Sequence, residues 1–161
     1  MQPTKDSFLN HLARRLEELD STRTVTIEGV RRPAVMASEN ERPELKDAFE
    51  ECYCIDWAEG ASGCGLRGVQ SLGCSISYWT VGTAAMSGVD RGRRLTAMDE
   101  LLKNVLADRQ TAKCDLMVVP TGDLGSHVFW SIPKFAAVEQ DGAKLRRTAK
   151  VDVYYFAEEQ R

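Results

Sequence analysis

From Gln70 to Ala107 the chain changes hydrophobic period once, and the change predicts two successive elements. Leu72, Cys74, Ile76 and Tyr78 alternate with Ser71, Gly73, Ser75 and Ser77, the pattern of a strand buried on one face and paired in antiparallel fashion. Beyond Val89, the residues Leu95, Met98, Leu101, Leu102, Val105 and Leu106 share one helical stripe opposite Arg94, Asp99, Glu100, Lys103 and Asn104. Asp90 stands where an N-cap belongs. The expected fold class is α+β: an antiparallel or mixed sheet with a long amphipathic helix packed on one face, preceded by an N-terminal helix.

That first helix is predicted over Asp6 to Asp20, where Phe8, Leu9, Leu12, Leu16 and Leu19 recur at helical spacing. Thr24 to Val30 reads as a short strand, ended or turned into an edge by Arg32-Pro33. Ser38 to Asp47 is polar and reads as a loop. Ala48 to Trp57 is predicted as a strand with an aromatic face of Phe49, Tyr53, Ile55 and Trp57, interrupted at Glu51. The glycine-rich run Glu59 to Gly65 connects it to the long strand. After the second helix, Asp115 to Val119 reads as an apolar strand and Pro120 to Gly125 as a turn, followed by a strand from His127 to Ile132. Lys134 to Val138 is expected to pair with Leu145 to Phe156 across a turn at Glu139 to Gly142.

Length and charge narrow the function classes. At 161 residues the chain has the size of one domain, so residues 1–161 are taken as a single unit. A formal charge of −3 and a pI near 5.5 offer no global attraction to phosphate backbones or anionic lipid, so nucleic acid is not expected as a partner. Apolar runs are only a handful of residues long and the start is polar from Gln2 to Asp6, so neither a membrane span nor a signal peptide is expected, and the location expected is the cytoplasm. The five cysteines, Cys52, Cys54, Cys64, Cys74 and Cys114, lack zinc-type spacing and read as reduced structural residues, Cys64 being the most exposed candidate. No cofactor or metal site is expected.

Catalytic chemistry has little to build on. His11 sits in the first helix beside Asn10 and Arg14 and reads as a packing or solvated residue. Asp123, Ser126 and His127 are the only grouping that could line a pocket, in the segment Asp123 to Trp130, and a triad would need them to converge in space. The glycines between Gly60 and Gly68 lack the strand-to-helix setting of a phosphate loop. No residue is therefore assigned a catalytic role, and the chain is read as a non-enzyme.

Interfaces offer more. Arg91, Arg93 and Arg94 crowd the start of the second helix, where they oppose its dipole and suggest an external acidic partner or a neighbouring-subunit carboxylate, beside the ordinary reading of a solvated face. Lys144, Arg146, Arg147 and Lys150 form a second basic cluster leading into the last strand, suited to an edge or an interface. Trp57, Trp79 and Trp130 are candidate anchors, and Trp79 leads because it falls on the small, polar face of its strand. The expected interface set is Trp79, Arg91, Arg93, Arg94, Arg146 and Arg147.

The order of elements, with the Leu72 to Trp79 strand followed by the Asp90 to Leu106 helix and the closing strand Val151-Asp152-Val153-Tyr154-Tyr155, resembles that of phage tail-terminator and tail-completion proteins. The resemblance covers most of the chain. It implies a structural protein of a phage or prophage that forms a homo-oligomer, a hexameric ring, which caps the tail tube and contacts the head connector or other tail and head-completion proteins. Two other readings stand beside it: a small-molecule-binding or enzymatic α+β domain with a pocket near Asp123 to Trp130, and an interaction module that dimerises through a sheet edge.

Overall fold

A computed structural model describes residues 1–157, so the last four residues of the 1–161 unit lie outside the described residues. Helix α1 spans Gln2–Leu19 and buries Phe8, His11, Leu12 and Leu16 along one stripe. It begins four residues before the predicted start, because Pro3 lies in the first turn, where a missing N–H costs nothing. Strands β1 (Thr24–Ile27) and β2 (Val30–Pro33) form a small hairpin with Ile27 opposite Val30. Glu28 and Gly29 both take positive φ in its two-residue loop, the geometry that matches strand twist.

The main sheet is mixed. Its path runs β3 (Val35–Ala37), β4 (Tyr53–Trp57), β6 (Val69–Thr80), β11 (Lys144–Phe156), β8 (Gly122–Trp130) and β7 (Gln110–Asp115). Only β3 and β4 pair in parallel; β5 (Ser62–Gly63) joins β6, and β9 (Lys134–Phe135) and β10 (Glu139–Asp141) join β11. Helix α2 spans Arg91–Val105 and buries Leu95, Met98, Leu102 and Val105. The fold is thus α+β, with two α-helices and one large mixed sheet among the described residues.

One apolar cluster holds these elements together. The face of β6 that carries Leu72, Cys74, Ile76 and Tyr78, and the face of β11 that carries Ala149, Val151 and Val153, meet the buried stripes of both helices. Aromatic edges lock the first helix to the sheet: Phe8 meets Trp57 at 5.6 Å and Trp130 at 5.3 Å, both edge-on. Polar tips that the core would otherwise strand are satisfied by α2 and the residue after it. Tyr53 donates to the Met98 carbonyl at 2.8 Å, Trp130 Nε1 donates to the Leu106 carbonyl at 2.9 Å, and Tyr78 donates to Asp99.

Several boundaries differ from the sequence expectation. Strand β4 begins at Tyr53 rather than Ala48, because Glu51 adopts φ +55 and its N–H turns to the Trp79 carbonyl at 2.8 Å, so the extended run cannot start earlier. The strand expected at Asp115 to Val119 lies instead at Gln110–Asp115, and Leu116 to Val119 form an exposed turn. A buried lysine hid it: Lys113 is fully buried with Nζ 2.9 Å from the Phe156 carbonyl. Strand β8 starts at Gly122, inside the expected turn, and it shifts register against β7 between Ala112 and Cys114. The last hairpin turns at Gly142-Ala143, one step later than expected, since Glu139–Asp141 is itself a strand.

Asp90 occupies the N-cap position of α2 yet does not cap it through its side chain. Its carboxylate reaches back to Thr83, accepting from the backbone N–H and the hydroxyl at 2.8 Å each, and these bonds hold the carboxyl below its ordinary range. The loop that folds around it depends on Gly82, at φ +78, where an added Cβ would stand 2.6 Å from Asp90 Oδ1 and 2.8 Å from Gly88 Cα. Gly82→Ala is expected to destabilise the fold by about 1–3 kcal/mol. Urea denaturation measures it, and an unchanged midpoint would show that the loop carries no such constraint.

Candidate interaction surfaces

Trp79 leads the sequence-derived set, and its cover comes from within the chain. It is half-buried on the outer face of β6, beside Leu45 and Phe49 from the segment between β3 and β4, at a small void of about 10 Å³ that Cys52 and Cys54 also line. The Lys144 ammonium lies 4.2 Å above its ring centre. Of the two covers its position on the small, polar face calls for, a partner subunit or a second layer, the chain itself supplies a second layer over part of the Trp79 ring. Trp130, a second candidate anchor, is 2% exposed and belongs to the core; Trp57 packs on Phe8 under Lys5.

Most of the arginines also find partners inside the chain. Arg94 grips Glu51 in a bidentate pair, donating from Nη2 to Oε2 at 2.5 Å and from Nε to Oε1. Glu51 is a hub that also meets Arg23 at 3.4 Å and accepts from the Thr80 hydroxyl at 3.2 Å. Burial would raise the Glu51 carboxyl, but the Arg94 bonds and charge, with those of Arg23 and Thr80, outweigh it and hold it below the usual range. Arg91 donates to the Ala143 carbonyl at 3.0 Å. Arg146 pairs with Asp47 at 2.9 Å, and Arg147 bonds to Asp99 at 3.0 Å and to the Ala136 carbonyl at 2.7 Å. Arg93 alone of the six is exposed with no ion pair among the described residues. For Arg94 the carboxylate is not external or on a neighbouring subunit, as expected, but that of Glu51 in the same chain, a positive-φ residue.

Asp123, Ser126 and His127 do not converge. Asp123 and His127 are exposed, Asp123 accepts from the Gly125 N–H at 2.8 Å, and the His127 ring leans on Phe129 at 6.1 Å. Ser126 is half-buried and follows Gly125, at φ +68, in the stretch where β8 shifts register against β7. His11 is buried and rests on Trp130 at 4.8 Å; burial, then Arg14, pushes its pKa down, which favours the neutral ring. Among the described residues, no cluster of histidine, cysteine and carboxylate side chains is suited to a metal ion. Cys52 and Cys74 are buried thiols whose pKa values burial raises, that of Cys52 to about 12. Arg23, Arg31 and Arg32 edge an open pocket of about 320 Å³ beside the small hairpin, but Arg23 and Arg32 already hold Glu51 and Glu41.

Two apolar surfaces remain that the sequence reading missed. The first is the β7–β8 tip, where Leu116, Met117, Val118 and Val119 are 40, 88, 49 and 95% exposed. The second is an open groove of about 460 Å³ at the far end of β8, lined by Cys64, Leu66, Val69, Phe129 and the end of β11. The signal for the tip was present as an uncharged run ended by Pro120, but such a run also fits a buried strand. The groove joins residues far apart in sequence and left no local signal. No family model matches the chain, and a search of curated proteins finds no match. Among the described residues, no helix is long and apolar enough to cross a membrane.

Two measurements test these assignments. Trp79→Ala should destabilise the isolated subunit by about 2 kcal/mol in urea denaturation, since the ring packs on its own chain; unchanged subunit stability would return Trp79 to the list of surface anchors. Glu51 contributes stability that is full above its ordinary value of 4.5 and is lost as pH falls through its lower folded value. Acid unfolding of Glu51→Gln should therefore depend less steeply on pH below that value than the parent, and equal slopes would show that the Arg94 pairing does not hold the fold.

Proposed function

We propose that this protein is a non-enzymatic structural subunit that assembles into a ring, of the tail-terminator kind its element order resembles. In this reading it works in the host cytoplasm and then in the virion, where a hexamer caps the tail tube and meets the head connector. The observation that supports it most is the uncharged tip Leu116 to Val119, held out in water on a two-stranded extension. A subunit that remains single gains nothing from presenting four adjacent apolar side chains, whereas an assembling one hides them against a neighbour.

Other features agree with this use. The helices occupy one face of the sheet, with α2 as the amphipathic helix that backs it, so the part of the opposite face that the segment between β3 and β4 does not cover stays available to neighbours. Arg93 projects from the first turn of α2 as an unpaired charge that an acidic patch of a tail or head-completion protein would complement. Arg94, Arg146 and Arg147 stiffen the subunit instead of reaching out, which keeps the interface geometry fixed.

Molar mass by light scattering, across a concentration and salt series, tests the proposal. A closed hexamer, or monomers that assemble as concentration rises, is the expected result, and a salt-dependent midpoint would mark a charged component. A strict monomer throughout overturns it. A species that stops at two subunits would favour an isologous sheet-edge module instead.

A further inference from the structure

We propose that the β7–β8 tip of one copy seats in the apolar groove of the next copy, so that subunits join head to tail. This rests on the reading of the chain as a self-assembling subunit and deepens it by naming the two surfaces that meet. One is convex and the other concave. Met117 and Val119, 88 and 95% exposed, form the knob; Leu66, Phe129 and Phe156, at 69, 38 and 48% exposed, edge a groove of about 460 Å³. That volume falls within the range of sites that bury a compact apolar body.

The two surfaces lie at opposite ends of one strand. The tip follows Asp115, which faces Gly122 at the start of β8, whereas Phe129 faces Gln110 at the other end of the same hairpin. The hairpin covers the interval from Asp115 to Gln110 in five β7 residue steps, about 17 Å at the usual strand rise, with the two extra residues of β8 taken up in its register shift, so a subunit cannot fill its own groove with its own tip. A second copy can. Because knob and groove are different patches, the contact is heterologous and propagates from copy to copy, closing as a ring when the rotation per subunit permits.

Charge at the margins favours the same occupant. The tip itself carries no charge but stands between Asp115 and Asp123, each of which uses Oδ1 on a nearby backbone N–H, of Met117 at 2.9 Å and of Gly125 at 2.8 Å. Their second oxygens remain on the shoulders of the knob. Arg67 follows Leu66 in the groove loop, is exposed, and has no carboxylate partner among the described residues. An acid-shouldered knob entering a groove flanked by an arginine is matched in sign as well as in polarity.

Cys64 lines the groove and provides a reporter. Val119→Cys changes a residue that is 95% exposed, so the fold should be retained, and oxidised glutathione should then link position 119 of one copy to Cys64 of the next. The expected result on a non-reducing gel is a ladder that passes beyond the dimer, lost when Cys64→Ser is added, with the bond mapped by peptide mass. Independently, Met117→Lys should weaken self-association at least tenfold in light scattering. Linked dimers that go no further would overturn the head-to-tail contact in favour of a reciprocal pair. A light-scattering oligomer that shows neither the bond nor any effect of Met117→Lys would overturn this contact while leaving ring assembly standing. A monomer at every concentration would overturn both.

Discussion

Twelve consecutive residue pairs, from Leu145 opposite Thr80 to Phe156 opposite Val69, join β6 and β11 into the antiparallel ladder from which the other elements hang. Side chains alternate between faces, so this one register decides what is buried. A slip by one residue would turn Val151 and Val153 out of the core and bring Asp152 and Tyr154 in. The ladder also sets the positions of β4, β8, β9 and β10, each of which pairs with one of its two strands. Both helices then close the face that the ladder makes apolar.

Polar fastenings fix the helices in place on that surface. Asp99, buried on α2, accepts from Tyr78 on β6 and from Arg147 on β11, tying one helical carboxylate to both strands of the ladder. Glu51 does the same at the entrance of α2, joining Arg94 to Arg23 and to the end of β6 through Thr80. Removing one member of such a set leaves the others desolvated and unpaired, which is why these groups matter more than exposed ion pairs such as Arg14 with Glu18. Arg94 and Arg147, which in sequence look like members of basic interaction patches, are the cationic halves of these fastenings.

With most charges committed internally, the surface left for partners is apolar. The β7–β8 tip is the turn of that hairpin, and the groove forms where Phe129, near the other end of β8, meets the end of β11 and the chain around the start of β6. A rigid strand between a knob and a hole gives a fixed spacing from subunit to subunit, a property suited to a ring of defined size. The proposed tail-terminator role thus rests on shape and apolarity, with charge at the margins for orientation.

Strands and helices with one clean period were legible from residue order alone. The alternation from Leu72 to Tyr78 and the stripe from Leu95 to Val105 marked β6 and α2, because each buries one face and the pattern of burial is written locally. Elements that mix their chemistry were misread: Lys113, buried against the Phe156 carbonyl, disguised β7, and the apolar run beside it drew the expected strand onto an exposed turn. At the candidate surfaces the sequence determined which arginines and tryptophans exist, but only tertiary contacts decided their use. Whether Arg94 or Arg147 is free depends on Glu51 and Asp99, 43 and 48 residues away along the chain, and Trp79 is covered by the segment between β3 and β4. Period is a property of neighbours in sequence, whereas pairing, cover and grooves are properties of neighbours in space.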